Sequence, residues 1–189
     1  MIGSSGFGPG KKERNKRMTA KNYTKTIVMT ALLAAVVCVA TLVIRLPSPT
    51  GGYINPGDAV VLLSAYLLGP VYGAVASGIG SMLADLLSGY AAYAPATLVI
   101  KAAMALLGGT LYRSLRGRTE GIVLAGLAGE IPMVAGYWLY DAWLLRSFAG
   151  SAAGIPGNLV QAAFGVAAST MLCLALRKGA YTRSRFPNL

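Results

Sequence analysis

Six apolar stretches alternate with short polar ones along this chain, and they show little of the polar face at helical period that a helix on a soluble core would carry. They predict helices over Lys25–Ile44, Asp58–Leu68, Val71–Ser88, Pro95–Tyr112, Ile122–Leu145 and Gly157–Leu176. Breakers set the joints. Pro47, Pro49, Gly51, Gly52, Pro56 and Gly57 make the first connection a loop of restricted shape, Gly69-Pro70 ends the second helix, and Pro95 suits a first helical turn. The second stretch is short, because its rise of about 16 Å falls well below a hydrocarbon core near 30 Å. Small residues recur at four-residue spacing at Gly69, Gly73, Ser77 and Ser81, which reads as close internal packing.

Charge settles how many stretches cross. The chain is 55% hydrophobic and 12% charged, yet its net charge is +11, so the basic residues are concentrated outside the apolar runs. If the short second helix crosses, both ends and the Arg113–Arg118 connection share one side. That side then holds Lys11, Lys12, Arg14, Lys16, Arg17, Lys21 and Lys25, then Arg113, Arg116 and Arg118, then Arg177, Lys178, Arg183 and Arg185. Arg45 and Arg146 face the other way, so the positive-inside rule is obeyed. The expected fold class is therefore all-α: an integral membrane protein, a six-helix transmembrane bundle with both termini cytoplasmic. Residues 1–24 read as a disordered basic cytoplasmic tail, 25–177 as the transmembrane substrate-binding domain, and 178–189 as a second basic tail. Lys and Arg flank apolar spans instead of interleaving with aromatics, which suits lipid headgroups and not nucleic acid. Cys38 and Cys173 lie inside apolar runs and read as packing residues. The first stretch is long for a signal peptide and lacks a small-residue cleavage site, so it reads as a retained helix.

Few ionisable residues remain inside the spans, and they gather in one half. Asp58, Asp85, Lys101 and Asp141 all fall toward the outward side, where each charge costs about 2.5–3.5 kcal/mol unless it meets protein or water. Asp85 or Asp141 is the expected partner of Lys101. Glu130, Val134, Tyr137 and Asp141 share one face of the fifth helix, whereas Trp138 and Leu145 fall on another that should meet lipid. In the sixth, Asn158, Gln161, Gly165 and Ala168 form a polar-to-small stripe. Two such stripes describe a cavity open to the outside, with Tyr53, Tyr90, Tyr93, Tyr140 and Trp143 around its mouth, either stacking on a flat ring or forming an interfacial belt. The candidate binding set is Asp85, Lys101, Glu130, Tyr137, Asp141, Asn158 and Gln161, with Tyr53, Asn55, Asp58, Tyr90 and Tyr93 as loop contacts. No catalytic or metal-binding residue and no cofactor are expected. The chain has no histidine and no phosphate-binding G-x-x-x-x-G-K-[ST] loop, which removes the Ser-His and H-E-x-x-H routes and any P-loop energy source of its own.

An ordered series of short motifs carries a family resemblance. Gly52-Tyr53-Ile54-Asn55-Pro56-Gly57-Asp58, Leu68-Gly69-Pro70-Val71-Tyr72-Gly73 and Gly80-Ser81-Met82-Leu83-Ala84-Asp85 come first. Then follow Gly89 to Thr97 and on to Lys101, Gly129-Glu130-Ile131-Pro132-Met133 with Gly136-Tyr137, and Pro156-Gly157-Asn158-Leu159-Val160-Gln161. Over about residues 25–177 the chain resembles the substrate-binding S components of energy-coupling factor (ECF) transporters, most of all the subgroup associated with hydroxymethylpyrimidine, pyridoxine and riboflavin. The resemblance implies six helices, cytoplasmic termini, an outward vitamin site capped by external loops, and no enzyme activity. It implies partners too: a small flat vitamin-like ligand, membrane lipid, a membrane coupling subunit and two cytoplasmic ATPases in a prokaryotic plasma membrane. Ala31 and Ala35 match the A-x-x-x-A motif by which such a first helix docks on the coupling subunit. Asn55-Pro56 stands where the resemblance would put a His-Leu pair, so ligand identity stays open. The rival readings are a self-sufficient proton-coupled secondary transporter using Asp85, Lys101 and Glu130, and a non-transporting membrane scaffold.

Overall fold

The structure is a computed structural model that describes residues 11–115 and 118–179, with side chains from residue 23 onward. The tail segments expected over residues 1–10 and 180–189, and Arg116 of the basic connection, lie outside the described residues. The main helices are α1 (Lys11–Val43), α2 (Asp58–Leu68), α3 (Pro70–Leu87), α4 (Ala94–Ser114), α5 (Thr119–Leu145) and α7 (Ile155–Lys178). Between α1 and α2 a small hairpin pairs β1 (Leu46–Pro47) with β2 (Tyr53–Ile54), and a short α6 (Phe148–Ser151) with a 3₁₀ turn leads into α7. Each of the six helices expected from the apolar pattern is present within a few residues of its expected ends. The exception is the start of α1, which is helical from Lys11 through most of the segment expected to be a disordered tail.

Five of these helices are long and apolar enough to cross a membrane, and α2 is shorter. Its burial explains its composition. Ala59, Val61, Leu62, Leu63, Ser64, Ala65, Tyr66 and Leu67 are all buried, with α2 set among α1, α3, α4 and α7, so it is apolar all round without meeting lipid. The outer helices show the reverse pattern, with Val71, Val75 and Ile79 on α3, Leu124, Leu127 and Ile131 on α5, and Val160 and Phe164 on α7 exposed. So much exposed apolar surface is natural against acyl chains.

Side-chain contacts fix the direction of every helix. The end of α2, the end of α4, the start of α5 and the end of α7 meet where Tyr66 stacks on Tyr112 at 4.4 Å, the Tyr66 hydroxyl donates to the Ile122 carbonyl, and Arg177 donates to the Tyr112 hydroxyl at 2.8 Å. At the opposite end lie the end of α1, the start of α2, the end of α3, the start of α4, the end of α5 and the start of α7, all around one hollow. The six helices thus alternate, and α1 begins on the side where α7 ends. That side carries the basic clusters and is the cytoplasmic one. The small-residue stripe of α3 packs internally: a Cβ on Gly73 would stand 2.5 Å from Ala65 Cα, and Ser77 donates to the Val61 carbonyl at 3.3 Å.

Candidate functional site

Pairs of polar residues one turn apart aim into the outer end of the bundle: Ser81 and Asp85 from α3, Thr97 and Lys101 from α4, Tyr137 and Asp141 from α5, Asn158 and Gln161 from α7. Thr41 of α1 and Tyr93 complete the sides, and Ser48, Thr50, Gly52, Tyr53 and Asn55 of the hairpin loop close the top. The hollow is narrow. Its free volume is about 30 Å³, enough for about two waters. The sequence pattern implied an open cavity, and the loop corrects that: it lies across the mouth, held by side chains from three directions. Tyr53 donates its hydroxyl to Asp85 Oδ1 at 2.6 Å, Gln161 Oε1 accepts the Asn55 N–H at 2.7 Å, and the Tyr93 hydroxyl lies 3.2 Å from the Thr50 carbonyl.

The expected ion pair is also corrected. Lys101 bonds neither Asp85 nor Asp141; its Nζ meets Asp58 Oδ1 in a fully buried salt bridge. Asp58 opens a helix at the floor of the loop, and the distance from there to α4 is a tertiary fact that spacing cannot give. Gln161 donates its amide to the second oxygen, Asp58 Oδ2, at 2.6 Å, so this carboxylate has a partner on each oxygen, as a buried charge requires. Gln161 therefore bridges loop, α2 and α7. Lys101 also lies 5.4 Å from the centre of the Tyr137 ring, a cation–π distance.

Asp141 accepts from the Tyr93 hydroxyl at 2.8 Å, and Tyr137 shares a 3.0 Å hydrogen bond with Thr97. Burial, reinforced by hydrogen bonding to Asp85 and Asp141 respectively, raises the phenols of Tyr53 and Tyr93 above their ordinary values, so both remain proton donors. Three side chains on the wall keep unused capacity: Ser81 Oγ is buried without a hydrogen-bond partner, and Asp85 and Asn158 join it. Asp85 is 3% exposed and its Oδ2 has no hydrogen-bond partner; Asn158 is 9% exposed and bonds to no described residue.

Three expected contacts stand apart from the wall. Asp58 lies behind Lys101 and Gln161. Glu130 is buried beside it, with neither carboxyl oxygen hydrogen-bonded, and borders an apolar groove between α5 and α7 with Leu127, Ile131, Trp138 and Leu159. Gly165 makes that proximity possible, since a Cβ there would come within 2.5 Å of Glu130 Oε1 and 2.9 Å of Asp58 Cβ. Tyr90 packs on Tyr53 at 4.6 Å and continues an aromatic chain through Tyr93, Tyr140 and Trp143, of which Tyr53 and Tyr93 reach the hollow. Trp143 is 71% exposed, as an interfacial anchor is. Trp138, expected to meet lipid, is partly buried against Phe148. Sequence reading passed over Thr41, Ser48, Thr50, Ser81 and Thr97. For two of these a signal exists: Ser81 precedes Asp85, and Thr97 precedes Lys101, by one helical turn.

Ala31 and Ala35 lie on the exposed face of α1, in an apolar groove shared with Tyr72, Val75, Ile79 and Leu83 of α3.

The fold defines a multi-pass membrane protein with a polar hollow near one end. A family model described as "ECF-type riboflavin transporter, S component" matches residues 21–178. The chain is 36% identical over 143 residues to a Pyrococcus woesei protein described as "Uncharacterized protein in gap 3'region", covering 75% of this chain and 95% of that one. Its fold is similar to a solved structure of the S component of a bacterial ECF transporter, with a TM-score of 0.60 at 20% identity over 82% of this chain and 95% of the other. The chain belongs to the ECF-type riboflavin transporter S component family: it is a substrate-binding subunit of an ECF transporter for vitamins, in a prokaryotic plasma membrane. The family is one of transporters, not of enzymes, and it implies association with other ECF components and a vitamin-like ligand.

Proposed function

We propose that the vitamin is a flat heterocycle of the riboflavin, pyridoxine or hydroxymethylpyrimidine type, bound in the hollow beneath the hairpin loop. The observation that carries this reading is the pair of buried, unpartnered polar atoms, Asp85 Oδ2 and Ser81 Oγ, on a wall that also presents the Asn158 amide and the rings of Tyr53, Tyr93 and Tyr137. Buried polar groups without partners cost about 1–3 kcal/mol each, and a ring with matching donors and acceptors recovers that cost. An analogue lacking them is rejected for the same reason. Because the closed hollow is narrow, binding requires the loop to release Tyr53 and Asn55 and to re-form over the guest. Asp85, Asn158 and Tyr137 act in this reading as direct contacts; Gln161, Lys101 and Asp58 act as the frame that holds the wall. Glu130 belongs to that frame.

The energy for uptake comes from a membrane coupling subunit and two cytoplasmic ATPases. The exposed small-residue face at Ala31 and Ala35, with the apolar groove beside it, supports α1 as the surface on which the coupling subunit docks. The experiment is a titration of the purified full chain in nanodiscs with riboflavin, pyridoxine and hydroxymethylpyrimidine, followed by Tyr and Trp fluorescence. Saturable quenching by one of them is expected, and its absence for all three removes this ligand class. For Ala31→Leu with Ala35→Leu, quenching should persist while co-purification with the coupling subunit is lost. Intact co-purification would remove the docking assignment.

A further inference from the structure

The balance of charge on the cavity wall narrows the ligand class beyond a flat ring, and the inference rests on the hollow being the ligand site. Asp85, Asp141 and Lys101 are the ionisable acids and bases lining it. The one cation is already neutralised by Asp58. Neither carboxylate makes a salt bridge with a described residue, although Lys101 acts on Asp85 from a distance: Asp141 has the Tyr93 hydroxyl, and Asp85 has the Tyr53 hydroxyl on Oδ1 and no hydrogen bond on Oδ2. The Thr97 hydroxyl also bears on Asp85 but bonds Tyr137 at 3.0 Å. A guest therefore meets an unpartnered carboxylate oxygen in a buried, electronegative pocket.

We infer that this site selects neutral or cationic rings that present an N–H donor to Asp85 Oδ2, and that it rejects their phosphate esters. A charge-assisted hydrogen bond to a buried carboxylate is among the stronger single contacts a ligand makes. A phosphate monoester brings about 1.5–2 negative charges at neutral pH. Here it would be desolvated between two carboxylates with no free cation to receive it, and a buried charge without a partner is strongly disfavoured. The site is thereby matched to the uncharged transport form of a vitamin and not to its phosphorylated cofactor form.

The test uses the full chain in nanodiscs and equilibrium dialysis against pairs: riboflavin and riboflavin 5′-phosphate, pyridoxine and pyridoxine 5′-phosphate, hydroxymethylpyrimidine and its phosphate. For whichever free compound binds, the phosphate ester should bind about 100-fold or more weakly, roughly the loss expected when a like charge is desolvated beside carboxylates. The acetyl ester, neutral and extended at the same hydroxyl, should stay within about tenfold of the free compound. Asp85→Asn should weaken the free compound by about 10- to 100-fold and shrink the discrimination against its phosphate. A phosphate ester binding within tenfold of the free compound overturns the inference, and so does an acetyl ester lost as completely as the phosphate, which would make the exclusion one of size. Should Asp85→Asn fail to fold, the wild-type comparison of phosphate and acetyl esters decides alone. If no ring binds in any form, the reading of the hollow as the ligand site falls and takes this inference with it; if rings bind regardless of charge, only the inference falls.

Discussion

The two ends of the bundle handle buried polar groups in opposite ways. At the cytoplasmic end, Tyr66 and Tyr112 stack, Arg177 donates to Tyr112, the Tyr112 hydroxyl lies 3.7 Å from Cys173 Sγ, and Met104 and Ile122 pack around them. The Tyr66 and Tyr112 hydroxyls there are served by neighbouring groups, and the charge on Arg177 lies against the Tyr112 ring. At the outer end, a buried lysine, two carboxyls and three amides line a hollow, and Asp85 Oδ2 and Ser81 Oγ are left without partners. Unmatched groups of this kind lower stability, and those at the outer end differ from Arg177 Nε and Thr170 Oγ1 at the cytoplasmic end in lining a hollow that a guest with matching donors and acceptors could enter. One end is closed by stacked aromatic rings, and the other gathers its carboxyls and amides around a hollow.

Substitutions sharpen that contrast, beginning with the frame beneath the hollow. Lys101→Ala leaves Asp58 charged, buried and short of a partner, and should cost about 3–5 kcal/mol in denaturant or thermal unfolding of the purified protein. Asp58→Asn combined with Lys101→Met should recover much of that loss, because the unpaired charge is gone. Gln161→Ala removes a bond to Asp58 and one to the loop, so about 2–3 kcal/mol of stability and ligand affinity should fall together. Asn158→Ala breaks no described hydrogen bond within the protein: stability should stay within about 0.5 kcal/mol, while affinity falls about tenfold in the fluorescence titration. At the opposite end Tyr66→Phe removes a long hydrogen bond to the Ile122 carbonyl, and about 0.5–1 kcal/mol of stability should go with no change in affinity. If Asn158→Ala proves as destabilising as Gln161→Ala, the distinction between wall and frame collapses.

Much of the fold was legible because hydrophobic runs, Gly-Pro punctuation and basic flanks are local signals. Even the short α2 could be placed, since the distribution of Arg and Lys required another crossing. The site was legible in part. Asp85, Lys101, Tyr137, Asp141, Asn158 and Gln161 all line the hollow, as helix periodicity and depth indicated. Pairing was beyond reach: Asp58 reaches Lys101 across 43 residues, and Gln161 reaches Asp58 across 103, and no spacing rule fixes such distances. Glu130 shares a helix face with Tyr137 yet stands behind the wall, because Gly165 lets it approach Asp58 instead. The loop was recognised as constrained, but its closure depends on Tyr53, Asn55 and Tyr93 finding partners on other elements. The helical start of α1 escaped because a Gly-rich, basic lead-in masks the helix that continues back from the apolar span.

The central proposal is that the vitamin sits in the outer hollow. Mass spectrometry of small molecules released from the purified full chain, measured side by side for the native protein and Asn158→Ala at matched folded concentration, addresses it directly. A heterocycle recovered in stoichiometric amount from the native protein and strongly depleted from the variant is the expected result. Equal recovery from both would contradict the account, and so would a native protein that carries and binds no such molecule.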